Sequence, residues 1–292
     1  MKMFKALLKT RLAALFYSFT RGSKNKKGHS ALGKAGIALL FIYVVGCMMW
    51  LFGSLWESMC EPFYRLGLAW LYFAFVGITT LIICFVGSVF MAQQQLFAAK
   101  DNDLLLSMPI PPRAIVAGRM LMLIALSYLT EALIVLPAAY VWLVSLPVTA
   151  AGVVIFALAF LALPMISLAL SCLFGYLIEA VTSRLGRGKN LFTMVISIAF
   201  LALYFVFYSR MQEYISVLIT NGAQVGDAIR TAVPPLYWLG NAVASHDAGQ
   251  LLLFLACCIL PFGAAYALIS RSFISIATRR TSGAKRVYRR GD

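Results

Sequence analysis

The stretch VTAAGVVIFALAFLALPMISLALSCLFGYLI, residues 148–178, decides the fold because it contains no charged side chain. A helix of about 20 apolar residues is long enough to cross the roughly 30 Å hydrocarbon core of a bilayer. Similar apolar runs occupy residues 35–56, 66–91, 120–144, 191–208 and 251–269. We therefore predict an all-α membrane protein with six transmembrane helices.

The overall composition agrees with a membrane protein. The 292 residues are 62% hydrophobic and only 12% charged, and the mean hydropathy is +0.88. A soluble domain of this length could not bury so much apolar surface. This excludes an ordinary soluble enzyme and favours transport, signalling, membrane enzymology or assembly.

The basic residues are distributed asymmetrically between the runs. All but three of the 25 Lys and Arg residues lie before the first run, between runs two and three, between runs four and five, or after the sixth; the exceptions are Arg65, Arg210 and Arg230. The positive-inside rule then predicts that both termini are cytoplasmic. The net charge of +15 suits anionic lipid head groups rather than nucleic acid, because the basic tails lack interleaved aromatic residues that could stack on bases.

Three regions follow from this pattern. Residues 1–34 are predicted to be a cytoplasmic amphipathic helix and a basic linker, residues 35–270 the six-helix transmembrane domain, and residues 271–292 a basic cytoplasmic tail. Apolar residues recur at helical spacing near the N-terminus, with lysines on another face, which suits a helix lying in the membrane interface. It either anchors the first span or acts as an elbow that organises the bundle, and the two roles are compatible.

Residues for catalysis or metal binding are not apparent in the sequence. There is no P-loop motif, and the two histidines fall on opposite sides of the predicted membrane. The six cysteines include no C-x-x-C pair, so we interpret them as packing residues, with Cys60 in an outer loop that also carries Glu57 and Glu61. We expect no enzyme activity and no cofactor or metal bound by this chain.

Glu131 is an ionisable residue inside an apolar run. A carboxylate at the bilayer centre costs at least about 2.5 kcal/mol, so we expect it to face the bundle interior and to have partners. Tyr128, one turn earlier, shares its face. Glu131 is either a substrate, proton or gating contact in a transport pathway, or a protonated, hydrogen-bonded packing residue.

Two connecting segments carry structural predictions. The link at residues 145–147 is so short that the third and fourth helices should form a tight antiparallel hairpin. The outer sequence VPPLYWLG, residues 233–240, is too apolar for a free loop. Its aromatic residues suit the membrane interface, so it is either a short helix dipping into the outer leaflet or a packed loop over the bundle. The residues concerned are Pro234, Pro235, Tyr237 and Trp238.

The segment between runs two and three contains KDNDLLLSMPIPPR, residues 100–113. Asp101 or Asn102 can cap a short helix whose leucines form an apolar face, and Pro109 ends it. A new helix is predicted to begin near Arg113. Such a short apolar helix on the cytoplasmic side is either a docking surface for a soluble partner or an interfacial helix lying in lipid.

This segment resembles the first cytoplasmic loop of the type-2 ATP-binding-cassette (ABC) exporter permeases. The amphipathic elbow, the six spans and the outer segment are also similar to that family. The resemblance implies that the loop is a coupling helix that docks on a separate ATPase subunit, where ATP is bound. The positions that match the coupling pattern are Asp101, Asp103, Leu104, Leu105, Ser107, Met108, Pro109 and Arg113.

The resemblance also implies that two six-span units form the pathway, so the partner is a second permease half or a second copy of this chain. Longer relatives continue into a second half after a basic stretch similar to residues 279–290. We therefore expect a permease subunit of an ABC exporter in the cytoplasmic (plasma) membrane. The alternatives are an ATP-independent secondary transporter or channel, and a non-transport assembly or regulatory protein.

Overall fold

The computed structural model describes residues 31–97, 111–182, 189–210 and 221–283, and this part of the chain is helical and contains no strand. The all-α prediction is confirmed for it. In chain order the elements are α1 (Ala31–Arg65), α2 (Ala69–Ala92), a π-helical turn (Gln93–Phe97), α3 (Pro112–Ser145), α4 (Ala150–Thr182), α5 (Lys189–Ser209), α6 (Gly222–Ala232), α7 (Pro234–Ser245) and α8 (Ala248–Gly283).

Among the described residues, five helices are long and apolar enough to cross a membrane. They are Ala38–Arg65, Ala69–Val89, Arg113–Ser145, Ala150–Ile178 and Ala248–Arg271. The chain is thus a membrane protein by the length and composition of its helices. In α5, the predicted fifth span, the apolar stretch is Met194–Leu203, which extends about 15 Å at 1.5 Å per residue. Six spans therefore remain a prediction.

The predicted outer loop after the first run is wrong. Helix α1 does not end at residue 56 but continues to Arg65, so that Glu57, Cys60 and Glu61 are helical. Burial of the face that includes Cys60 and Phe63 outweighs the loop-like composition, and Glu61 adds an exposed ion pair with Arg65 one turn later.

The turn from α1 to α2 is correspondingly short. Gly67 has φ = 71°, in the left-handed region that glycine adopts without steric cost, and its N–H donates to the Tyr64 carbonyl. The N–H of Leu68 then donates to the Phe63 carbonyl, which satisfies the end of α1. Residues 66–68 therefore reverse the chain.

Helices α3 and α4 form the predicted antiparallel hairpin. Trp142 near the end of α3 packs against Phe156 near the start of α4, with ring centroids 5.3 Å apart. Farther from the link, the Tyr128 hydroxyl donates to the Leu161 carbonyl at 2.6 Å. From the first pair to the second, the residue number falls along α3 and rises along α4, as an antiparallel arrangement requires.

The outer segment is a helix, α7, and it packs directly on α2. Leu239 lies against Gly77, and Gly240 lies against the backbone of Trp70, so that a side chain at either glycine would collide with its neighbour. Helix formation is confirmed, and the helix also caps the bundle, which combines the two alternatives. Its depth in the outer leaflet stays a prediction.

His246 joins α7 to the link between α3 and α4. It ends α7 in the left-handed conformation, with φ = 58°. Its Nε2 lies 2.6 Å from the Thr149 hydroxyl. The next residue, Asp247, accepts the N–H of Gly249 at 2.8 Å and so caps the start of α8.

The six cysteines are free thiols, and four of them are buried: Cys84, Cys172 and Cys258, as predicted for packing residues, and Cys60, while Cys257 is half-buried. Cys47 departs from the prediction because it is exposed on α1. Cys60 is one of the buried four, although the sequence placed it in a loop.

Two apolar clusters fill the bundle, one toward each end. The larger lies where α1 turns into α2 and where α7 packs, and it includes Trp56, Tyr72, Trp142 and Phe156. The smaller lies toward the opposite end, around Leu96, Ile115, Met120, Leu168 and Ile269. We call these the aromatic cluster and the aliphatic cluster.

Several predictions fall outside the described residues. These are the N-terminal amphipathic helix up to residue 30, the coupling helix at residues 101–109, and the tail beyond residue 283. The new helix predicted near Arg113 is confirmed: α3 starts at Pro112, where the missing N–H of proline costs no helical hydrogen bond.

Candidate functional site

Polar side chains from three helices meet between the two apolar clusters. They recur every four residues, which places them on one face of each helix. All are buried, and we call them the polar layer: Thr80, Cys84 and Ser88 of α2, Ser127 and Glu131 of α3, and Ser167 and Ser171 of α4.

Helices α2 and α4 run parallel through the layer. The Ser88 and Ser171 hydroxyl oxygens are 2.6 Å apart, 83 positions apart in sequence. Phe73 and Phe156, in ring contact nearer the other end, have the same separation. This constant register places Ser167 of α4 at the level of Cys84 of α2.

Helices α2 and α3 run antiparallel. The Tyr72 hydroxyl donates to the Ala138 carbonyl at 2.9 Å, and the Cys84 thiol donates to the Ser127 carbonyl at 3.7 Å. Continuing this register by one turn places Thr80 opposite Glu131. The sequence alone could not bring these residues together, because the register depends on packing across helices.

Part of the layer is hydrogen-bonded within its own helices. Thr80 donates to the Val76 carbonyl at 2.7 Å, and Ser171 donates to the Ser167 carbonyl at 2.8 Å. Such bonds to the preceding turn are the usual way for hydroxyl groups to be satisfied inside membrane helices. They satisfy these hydroxyl groups within α2 and within α4 and do not join the two helices.

Three other oxygens of the layer are buried without a hydrogen-bond partner in the described part of the chain. They are Ser127 Oγ, Glu131 Oε1 and Ser167 Oγ. An unsatisfied buried polar group costs about 1–3 kcal/mol, so each calls for an explanation such as water, an ion or a ligand. Their proximity in register makes this part of the layer the candidate site.

The inward orientation predicted for Glu131 is confirmed, whereas its partners stay a prediction. The side chain faces the bundle interior, with 5% of its surface exposed. Tyr128, however, is not its hydrogen-bond partner, because the tyrosine hydroxyl reaches across to Leu161 of α4. Glu131 Oε1 is left free for another contact.

The chemistry of the layer suits polar contact rather than covalent catalysis. Its free groups are one carboxyl oxygen and two serine hydroxyls, and no histidine belongs to the layer. Within the described ranges, no group of three or more His, Cys, Asp or Glu residues could hold a metal ion. The layer can accept and donate hydrogen bonds to a polar molecule, an ion or a proton at membrane depth.

Arg119 is a buried residue that sequence reasoning missed. It precedes the third apolar run, in a segment that the positive-inside rule places in the cytoplasm, but it lies inside α3 and is fully buried. The signal that could have found it is its apolar surroundings at helical spacing, with Ile115 four residues before and Leu123 four residues after. It precedes Glu131 by about 18 Å along α3.

A π-helical turn, Gln93–Phe97, ends α2 near the same end of the bundle. Gln93 is buried there, and the turn leads directly into the segment predicted to dock on an ATPase. Single π-helical turns are rare and are frequently found at functional sites. The turn is thus a second candidate functional feature, besides the polar layer, and it lies at the end of the bundle that holds the aliphatic cluster.

The predicted outer residues form an aromatic contact on α7. Tyr237 lies edge-on to Trp70 of α2, with ring centroids 5.1 Å apart. The Arg230 guanidinium lies 4.9 Å from the Tyr237 ring centre, a cation–π contact. Pro234 and Pro235 start α7, and Trp238 is half-buried against the aromatic cluster.

Of the predicted coupling residues, Arg113 lies exposed in the first turn of α3. The others lie outside the described residues: Asp101, Asp103, Leu104, Leu105, Ser107, Met108 and Pro109.

Comparison of this chain with protein-family models, with curated proteins and with solved structures gives no match.

Proposed function

We propose that this chain is the membrane-spanning permease subunit of an ABC exporter. It would form the translocation pathway and draw on ATP hydrolysis by a separate ATPase subunit. The observation that carries the proposal is the polar layer, because it contains Glu131, and a buried ionisable residue inside membrane helices is costly and commonly marks a transport pathway. In this proposal the chain has six spans, an N-terminal elbow helix and cytoplasmic termini, and lies in the cytoplasmic membrane.

Coupling to an ATPase is supported by the sequence KDNDLLLSMPIPPR and by its position before α3. Arg113 and Glu131 belong to one uninterrupted helix and are about 27 Å apart along its axis. Displacement of the cytoplasmic segment by ATP-driven closure of the partner would therefore move the polar layer as part of a rigid rod.

A second permease unit is part of the proposal. Residues 38–44 of α1 are exposed, including Leu40 and Tyr43, and α5 is likewise exposed at Leu201 and Phe205. Lipid can cover such apolar surfaces, and so can a second copy or half. The resemblance to the exporter permeases favours the latter.

One alternative function has a specific observation in its favour. An ATP-independent transporter or channel would need only a polar route through the bundle, and the free oxygens of Ser127, Glu131 and Ser167 supply one. It would leave the KDNDLLLSMPIPPR segment without a role. We rank it second for that reason.

Co-purification tests the proposal. The tagged protein is extracted with mild detergent from native membranes, and the co-eluting proteins are identified by mass spectrometry. We expect a stoichiometric P-loop ATPase, and we expect Asp103→Lys or Pro109→Gly to lose it. The matched control is Asp227→Asn, since Asp227 is exposed on α6 at the other end of the bundle. A clean preparation with no ATPase would contradict the proposal.

A further inference from the structure

An open groove lies between α1 and α3, away from the polar layer. Its volume is about 550 Å³, within the range of small-molecule sites. It is lined mainly by apolar atoms, from Trp50, Gly53 and Glu57 on α1 and from Leu136, Pro137 and Tyr140 on α3.

The groove exists because α1 contacts α3 closely at Trp56, whereas the turns of α1 that precede Trp56 leave a gap beside α3. The Trp56 indole N–H donates to the Ile134 carbonyl at 3.2 Å, which holds the two helices together. One turn away, Gly53 presents no side chain to Pro137; a Cβ there would lie 3.9 Å from the Pro137 Cβ. Trp50, another turn along, is 79% exposed. The groove therefore opens sideways, out of the bundle.

A single carboxylate stands at the end of this apolar groove. Glu57 lines it and, in the described part of the chain, has no hydrogen-bond or ion-pair partner. Its neighbour one turn along, Glu61, is neutralised by Arg65. An unpaired carboxylate at the end of an apolar groove attracts a positive charge.

We propose that this groove binds a single-chain amphiphile with a cationic ammonium head. The head pairs with the Glu57 carboxylate, and the alkyl chain lies along Trp50 and Leu136 over the space left by Gly53. Charge complementarity to Glu57 selects the head, and the apolar walls select the chain. The inference does not depend on the proposed transport function, because binding is measured without any ATPase.

The test uses the purified full-length chain in phosphatidylcholine nanodiscs. The probes are two dodecyl amphiphiles brominated at the chain end, one with an ammonium head and one with a sulfate head. Bromine quenches tryptophan fluorescence on contact. We expect saturable quenching by the ammonium probe at much lower concentration than by the sulfate probe, and we expect Trp50→Phe to remove most of this saturable signal.

Variants separate the head from the chain. Glu57→Gln should lower the affinity for the ammonium probe about tenfold, as expected for loss of one charge-assisted contact. It should not lower the affinity for the sulfate probe. The matched control, Glu61→Gln, should leave the affinity for both probes unchanged. Gly53→Leu should fill the groove and abolish saturable quenching by the ammonium probe.

Three results would overturn the proposal: no saturable quenching, equal affinity for both head groups, or an unchanged ammonium affinity in Glu57→Gln. Since Glu57 and Glu61 are exposed, their substitution by glutamine should leave folding intact. A wild-type preparation with no co-purifying ATPase, in contrast, would contradict the proposed function and leave this proposed binding site untouched.

Discussion

Ser88 of α2 and Ser171 of α4 place their hydroxyl oxygens 2.6 Å apart in the middle of the bundle. This contact joins two parallel helices at the level where the aromatic cluster gives way to the aliphatic cluster. It marks one edge of the polar layer and fixes the register that brings Ser167 beside Cys84.

The contact between the two serines should be measurable as a coupling energy. Ser88→Ala and Ser171→Ala should each lower the free energy of unfolding modestly. The loss in the double variant should be smaller than the sum of the two single losses by about 0.6 kcal/mol, a typical coupling energy for interhelical bonds in membranes. Thermal unfolding of the wild type, the two single variants and the double variant in detergent provides the double-mutant cycle. Strict additivity would show that the bond contributes nothing.

Glu131→Gln distinguishes a pathway role from a packing role. Because Glu131 Oε1 has no hydrogen-bond partner among the described residues, the isosteric amide should change the free energy of unfolding by less than about 1 kcal/mol. In a pathway role, substrate-stimulated ATP hydrolysis of the complex should fall at least about tenfold. Unchanged hydrolysis in the folded variant would make Glu131 a packing residue.

The close approach of α7 to α2 predicts a strong effect at Gly240. A methyl group there would collide with the Trp70 carbonyl, so Gly240→Ala should lower the free energy of unfolding by about 2 kcal/mol. Gly87 of α2 is the matched control, since no atom lies within 4 Å of the position of its missing Cβ. Gly87→Ala should leave the melting temperature equal or higher. Equal tolerance at both sites would argue against this packing of α7.

His246 should tolerate glycine better than alanine. Both variants lose the contact with Thr149, but only glycine adopts φ = 58° without strain, which is worth about 1 kcal/mol. Melting temperatures in detergent should therefore rank wild type, then His246→Gly, then His246→Ala. A reversed order of the two variants would show that the left-handed end of α7 is not maintained.

The membrane class of the fold could be predicted from the sequence because hydrophobicity is a local property. The end of α1 could not, because Pro62 and the charges around it resemble a loop. Phe63 is fully buried and its ring stacks on Phe75 of α2, and this packing continues the helix instead. Such tertiary contacts routinely override local preference.

The candidate site was only partly predictable. Glu131 stood out because a carboxylate in an apolar run is rare, whereas serine, threonine and cysteine are common in membrane helices and gave no signal. Ser127 and Ser167 acquire meaning only from the register between helices. Arg119 was missed because α3 begins eight residues before the apolar run that predicted it.

Accessibility of Cys84 tests the central claim that the polar layer lines an ATP-driven pathway. The other five cysteines are replaced by alanine, and a charged, membrane-impermeant maleimide is applied to inverted native membrane vesicles. A variant that keeps Cys172 alone is the control, because that thiol is buried in the aliphatic cluster outside the layer. We predict that Cys84 is labelled when ATP is hydrolysed and protected with a non-hydrolysable analogue, while Cys172 stays protected throughout. Labelling of Cys84 that ignores ATP would favour the ATP-independent alternative, and a Cys84 that is never labelled would contradict a pathway through the layer.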